Sequence, residues 1–182
     1  LTVSNIGIKQ ADLSWTDENS ATRWNIKYKK STDTEYTTIQ VNSNPYTLTG
    51  LVLNTTYNWQ AQAVVSGENS EWSALNTFTT SNGKAINPVP ANNAINVALN
   101  ASLTWDAVIS ATGYKVSIGT TSGGTEIANK AAAISNTFDI SSYNLARDTK
   151  YYWQVYTVYD DGQPASRKST TRIEQEIAGT IW

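Results

Sequence analysis

Hydrophobic and polar positions alternate along most of this chain, with a period of two. Trp24, Ile26 and Tyr28 alternate with Asn25, Lys27 and Lys29, and Tyr57, Trp59, Ala61 and Ala63 with Asn58, Gln60 and Gln62. That period places successive side chains on opposite faces of a half-buried strand. Shorter stretches of the same kind are Val3 to Ile8, Leu13-Ser14-Trp15, Tyr36 to Val41, Tyr46-Thr47-Leu48 and Trp72 to Thr80. Polar turn residues separate them about every 8–12 positions, and no segment keeps a helical apolar period for three turns. The pattern predicts an all-β chain.

The pattern is written twice. Leu51 to Gln60 and Leu145 to Gln154 both read Leu-x-x-(Asn/Asp)-Thr-x-Tyr-x-Trp-Gln. Leu103-Thr104-Trp105 repeats Leu13-Ser14-Trp15 at an offset of 90 residues, which grows to 94 between Tyr57 and Tyr151. The four extra residues are expected between Thr120 and Ala133, where Gly123-Gly124 marks a hairpin turn. In the second copy Asp160-Asp161-Gly162 is the next loop, and Thr171 to Ile177 alternates weakly as a last strand. Ser81 to Pro90 is rich in turn and breaker residues and reads as a linker, stiffened by two prolines. Two domains are expected, 1–84 and 85–182.

Composition narrows the chemistry. Thirteen basic and fifteen acidic residues leave a net charge of −2, shared almost evenly between the halves, so no basic field exists for nucleic acid. There is no Cys and no His among 182 residues. Disulfides, thiolate nucleophiles, imidazole-dependent dyads and metal sites built on His or Cys are therefore excluded. No apolar run is long enough to span a membrane, and no basic-then-apolar signal segment opens the chain. Met is absent even at position 1, which reads as a piece cut from a longer polypeptide.

A Leu, a polar turn and then Thr-x-Tyr at a strand start resembles the tyrosine corner of immunoglobulin-like sandwiches. The resemblance implies that Tyr57 and Tyr151 send their hydroxyls back to a backbone group, with Leu51 and Leu145 plugging the sandwich beneath. Taken together, Leu13-Ser14-Trp15, Tyr28, Thr55-x-Tyr57 and Thr79-Thr80, with Leu103-Thr104-Trp105, Tyr114 and Thr149-x-Tyr151, resemble tandem fibronectin type III modules. The stretch 94 to 105 and the Tyr-x-Trp-Gln strand are similar to those in bacterial secreted and cell-surface proteins. The resemblance implies two immunoglobulin-like β-sandwich domains in tandem, exported and non-catalytic, with no cofactor. They would act as a spacer or interaction pair beside other domains of the same polypeptide. The second copy departs from the pattern, because it lacks the closing Phe-Thr-Thr.

Four features point to other chemistry. Ser81-Asn82-Gly83-Lys84 matches a bare Ser-x-x-Lys, but lies in the linker with neither a helix nor partner motifs. Asp160-Asp161 offers two carboxylates to a calcium ion that takes six to eight oxygens, and Asp-Gly is equally an ordinary hairpin turn. Among seven Trp, those at positions 15, 24, 59, 105 and 153 fall on in-facing positions. Trp72 and Trp182 are not forced inside and are the candidates for a protein or polysaccharide ligand. That leaves a carbohydrate-binding module as the alternative. Ser70-Glu71-Trp72-Ser73 also resembles the Trp-Ser element of receptor modules, in which the ring stacks on basic stems; Lys27 or Lys29 would be the partner.

Overall fold

A computed structural model describes residues 1–17 and 21–160, and the backbone of 169–177. The chain divides into two units, Leu1–Asn82 and Gly83–Trp182, each an antiparallel sandwich.

In the first unit one sheet contains β1 (Thr2–Ser4), β2 (Ala11–Ser14) and β5 (Tyr46–Leu48). The facing sheet is built on β3 (Arg23–Lys30), flanked by β4 (Thr37–Val41) and β6 (Thr56–Val65). Beyond β6 lie β7 (Glu68–Asn69) and β8 (Asn76–Thr79). Leu13, Ile26, Leu48 and Trp59 meet between the sheets with almost no exposed surface. Each comes from the apolar phase of its strand, which is why the two-residue period translates into a layered core.

The second unit repeats the plan. Its small sheet pairs β9 (Ser102–Thr104) with β12 (Thr137–Asp139). Its large sheet runs β11 (Ala128–Ala133), β10 (Gly113–Gly119), β13 (Tyr151–Tyr159) and β14 (Ser169–Ile177). The weakly alternating last segment thus pairs with β13 along its whole length, from Tyr151↔Ile177 to Tyr159↔Ser169. A 3-10 turn at Ser141–Tyr143 precedes the second corner.

Three local expectations change. The run Gly67-Glu68-Asn69-Ser70-Glu71, polar and opened by a glycine, reads in the sequence as one loop but does not form one. Ser66 and Gly67 both adopt positive φ, 53° and 89°, making a two-residue hairpin that returns Glu68 and Asn69 to β6. Strand β1 stops at Ser4, and the next residue, Asn5, has φ 46°. Ile8 is nevertheless fully buried, held by a backbone bond from Gly7 N–H to Gln10 O at 2.8 Å.

The third change concerns the expected linker, whose later half belongs to the second unit. Ala85 is buried in that unit's core, and Asp106 N–H donates to Ile86 O at 2.9 Å. Val89 exchanges both backbone bonds with Thr104 at 2.7 Å. Pro88 and Pro90 have no N–H, so the pairing is confined to the one residue between them, at a sheet edge.

Candidate functional site

The two corners are built alike. Val52 N–H donates to the Tyr57 hydroxyl at 3.0 Å, and Ala146 N–H to the Tyr151 hydroxyl at 2.7 Å. Both phenols are buried, Leu51 is buried beneath the first corner, and Leu145 is partly buried against the second core. Thr80 adds a second clasp in the first unit. Its hydroxyl donates to Val52 O at 2.6 Å and accepts from Thr55 N–H at 2.9 Å. The Tyr57 ring stacks on Phe78, with centroids 5.7 Å apart.

Each core has an aromatic triad at matching positions. Trp15 lies edge-on to Trp24 and Trp59, with centroids 5.5 and 6.5 Å away. Trp105 packs edge-on against Tyr114 at 5.1 Å and tilted against Trp153 at 6.1 Å. Where the first copy has Trp24, the second has Tyr114, whose hydroxyl accepts from Val108 N–H at 2.8 Å. A pair of asparagines that sequence reasoning missed holds the first Trp of each triad. Asn44 Nδ2 donates to Trp15 O at 2.7 Å, and Asn136 Nδ2 to Trp105 O at 2.6 Å. The repeated signal was present, since each Asn comes shortly before the short strand that pairs with the Trp strand.

On the outer face of the first unit's large sheet, cations and rings alternate. Lys27 Nζ sits 4.3 Å from the centre of the Trp72 ring and 5.2 Å from that of Tyr36, and Lys29 Nζ lies 4.7 Å from Tyr36. Trp72 is half-buried, so one of its ring faces is committed to a lysine of its own sheet. Beside this ladder runs a row of amides. Gln40 Nε2 donates to Asn25 Oδ1 at 3.2 Å, and Asn25 Nδ2 donates to Gln62 Oε1 at 3.0 Å and to Asn69 Oδ1 at 3.3 Å. Trp182 lies outside the described residues, as do Asp161 and Gly162; Asp160 alone of that candidate calcium turn is described.

Trp72 is placed by a segment outside the strands that is tied to β6 partly through side chains. Between β7 and β8, Ser70 and Ser73 bond to β6 through their own backbones, and their hydroxyls accept from Ala63 N–H and Ala61 N–H, both at 3.0 Å. Gln62 Nε2 and Gln60 Nε2 return to Ser70 O and Ser73 O, each at 2.6 Å. The Ser-x-x-Ser spacing thus sets a hydroxyl acceptor beside each of two direct backbone bonds, of 3.0 and 2.8 Å, and the segment follows β6 closely. Behind it opens a cleft of about 320 Å³, bounded by Trp15, Trp24, Ala61, Ala63, Asp17 and Glu71 among others.

Electrostatics set three surface carboxylates. Glu126 accepts from both Thr120 N–H and the Thr120 hydroxyl, the latter at 2.7 Å, and these bonds hold its pKa down to about 2. Asn5 and Thr47 likewise lower that of Asp12, and the N–H and hydroxyl of Ser141 lower that of Asp139. Glu126 and Asp139 serve turns, and Asp12 on the central strand β2 ties Thr47 of β5 to Asn5 after β1. Among the described residues no group of three or more His, Cys, Asp or Glu is placed to hold a metal ion.

Known proteins resemble parts of this chain. Residues 1–79 match the Fibronectin type III domain family. Modules of that family typically serve as non-catalytic spacer or interaction units, commonly at or outside the cell surface. A two-domain fibronectin type III segment of chicken tenascin is 16% identical over 96% of this chain and 97% of its own, with a TM-score of 0.43. A human fibronectin type III domain is 20% identical over 46% of this chain and 72% of its own, TM-score 0.39. A structure described as that of a myokine is 25% identical over 44% and 90%, TM-score 0.40. No curated protein matches the chain.

Proposed function

We propose that this chain is a non-catalytic spacer and interaction pair, modules 1–84 and 85–182, of a larger exported bacterial protein. The observation that carries the reading is where the polar side chains go. The corner phenols, Asn44 and Asn136, Thr80, and the Asn25–Gln62 amide row all bond to their own sandwich. Groups consumed in this way stiffen a module, and a stiff module suits holding neighbouring domains apart.

A swap in the full-length protein tests it. Replacing the pair by two unrelated sandwiches of equal length is expected to preserve the activity of neighbouring domains, whereas a short flexible linker reduces it. Equal activity with either replacement would sink the spacer reading. Failure of the full-length protein to leave the cell would sink the exported one.

A further inference from the structure

We propose that Asn82 is a site of spontaneous modification, where the side-chain amide closes on the backbone nitrogen of Gly83 and is converted to aspartate or isoaspartate. Asn82 is the one asparagine of this chain that glycine follows. The missing side chain matters because the nucleophile is the glycine's own nitrogen, and a Cβ beside it would obstruct the approach. Asn82 is exposed, and residues 80–88 belong to no strand, so closing the ring breaks no strand pairing. Other asparagines are set against the same reaction. Asn44 and Asn87 precede proline, which has no N–H, and Asn25, Asn54, Asn76 and Asn136 precede β-branched residues. The carboxamides of Asn25, Asn44 and Asn136 are also committed to bonds within their own sandwich.

The reaction needs only water and hydroxide. Hydroxide takes the Gly83 amide proton, the nitrogen bonds to Asn82 Cγ, and the Cγ–Nδ2 bond breaks to release ammonia. The product is a succinimide, formed by an intramolecular attack between neighbours already held together. Water opens that ring at either carbonyl. Addition at Cγ leaves aspartate. Addition at the main-chain carbonyl leaves isoaspartate, in which the chain runs through Cγ and is longer by a carbon. Either product adds a carboxylate to a chain whose net charge is −2. The location gives the change a mechanical meaning. Ser81 is tied to the first unit, its N–H donating to Gly7 O at 2.9 Å and its carbonyl accepting from Asn54 N–H at 3.1 Å. Ala85 is buried in the second core. The extra carbon falls at 82–84, between these anchors, so it lengthens the connecting chain and leaves both cores untouched.

The test incubates the intact chain at mildly acidic and mildly alkaline pH, both folded and in concentrated urea. Anion exchange and peptide mass mapping follow the products. The folded chain at alkaline pH should give a more acidic species, heavier by the exchange of NH2 for OH, with the change confined to the peptide that contains Asn82. That peptide should accept a methyl group from an isoaspartyl methyltransferase. Conversion should slow at acidic pH, because the attacking nitrogen must lose its proton. The folded rate should lie within about tenfold of the rate in urea, as expected of a segment outside the protected strands. Asn82→Gln would have to close a larger ring and should abolish the species. That side chain is exposed, so the variant keeps both cores. Gly83→Ala should slow conversion about tenfold. Because Gly83 has φ 73°, where alanine is strained, this comparison is made in urea, and it holds whether or not the variant folds. Conversion seen only in urea, conversion of another asparagine ahead of Asn82, or a rate in urea unchanged by Gly83→Ala would each overturn the proposal. None of those outcomes bears on the domain-swap experiment, so the two readings fail separately.

Discussion

Tyr57 and Tyr151 commit their hydroxyls to backbone N–H groups five residues upstream, and in each corner the donor has no other described acceptor. Phenylalanine at either position keeps the ring and strands the N–H. Tyr57→Phe and Tyr151→Phe should each cost about 1–3 kcal/mol in urea unfolding. In the first corner Thr80 grips the carbonyl of the same Val52 whose N–H meets Tyr57. Tyr57→Phe and Thr80→Val should therefore be non-additive in a double-mutant cycle, with a coupling of about 0.5 kcal/mol or more; strict additivity would show the two bonds to be independent. Glu126 behaves differently because its carboxylate is on the surface. Its folded pKa of about 2 lies below the ordinary 4.5, so its contribution is complete above pH 4.5 and is lost as pH falls towards 2. Glu126→Gln should lower the melting temperature at neutral pH, and the difference from the parent protein should shrink steadily through that acidic window. The corner tyrosines were legible in the sequence because a repeated Thr-x-Tyr after a polar turn is a local signal. The turn at Gly123 was legible too, but the Thr120–Glu126 bonds across it were not, since they depend on a contact between loop residues that no periodicity encodes.

At the scale of elements, the sequence exposed strands wherever one face is buried, because burial imposes the two-residue alternation. It was least informative where pairing is made by other means. Val89 pairs alone between two prolines, and a single bonded residue leaves no periodic trace. Segment 70–74 follows β6 through serine hydroxyls and glutamine amides, so its apolar pattern is broken although its course is fixed. The expectation that Lys27 or Lys29 would meet Trp72 came from the resemblance to the Trp-Ser element of receptor modules, and Lys27 is the one over the Trp72 ring. The cleft was not read from the sequence at all; the available clue was two alanines where the second copy has Val155 and Thr157. A prediction belongs to this segment. Ser73→Ala leaves Ala61 N–H without its side-chain acceptor while keeping the direct Ser73 N–H to Ala61 O bond. It should destabilise the first unit by about 1–2 kcal/mol. Amide exchange of Ala61 should accelerate while that of Ile26, deep in the sheet, stays slow. Unchanged protection at Ala61 would mean that water or backbone replaces the hydroxyl without loss.

At the scale of the whole molecule, the decisive property is that the two cores share no residue. One gathers Leu13, Ile26 and Trp59 with their neighbours, the other Leu103, Val116 and Trp153. Each has its own corner, aromatic triad and asparagine clamp, so every long-range contact that defines a sandwich is duplicated rather than divided. A chain of this kind should lose one half without the other. Trp59 is fully buried, and Trp59→Ala removes the largest side chain at the centre of the first core. The cavity should cost about 3–5 kcal/mol, a large part of what a domain of this size possesses. In hydrogen exchange, amides of β3 and β6 should lose protection together, while β10 and β13 keep theirs. Residues 1–82 produced alone should still melt in one cooperative transition. Loss of protection across Gly113–Gly119 in the Trp59→Ala protein would show that stability is shared between the units, and the description of the chain as two self-sufficient modules would have to be abandoned.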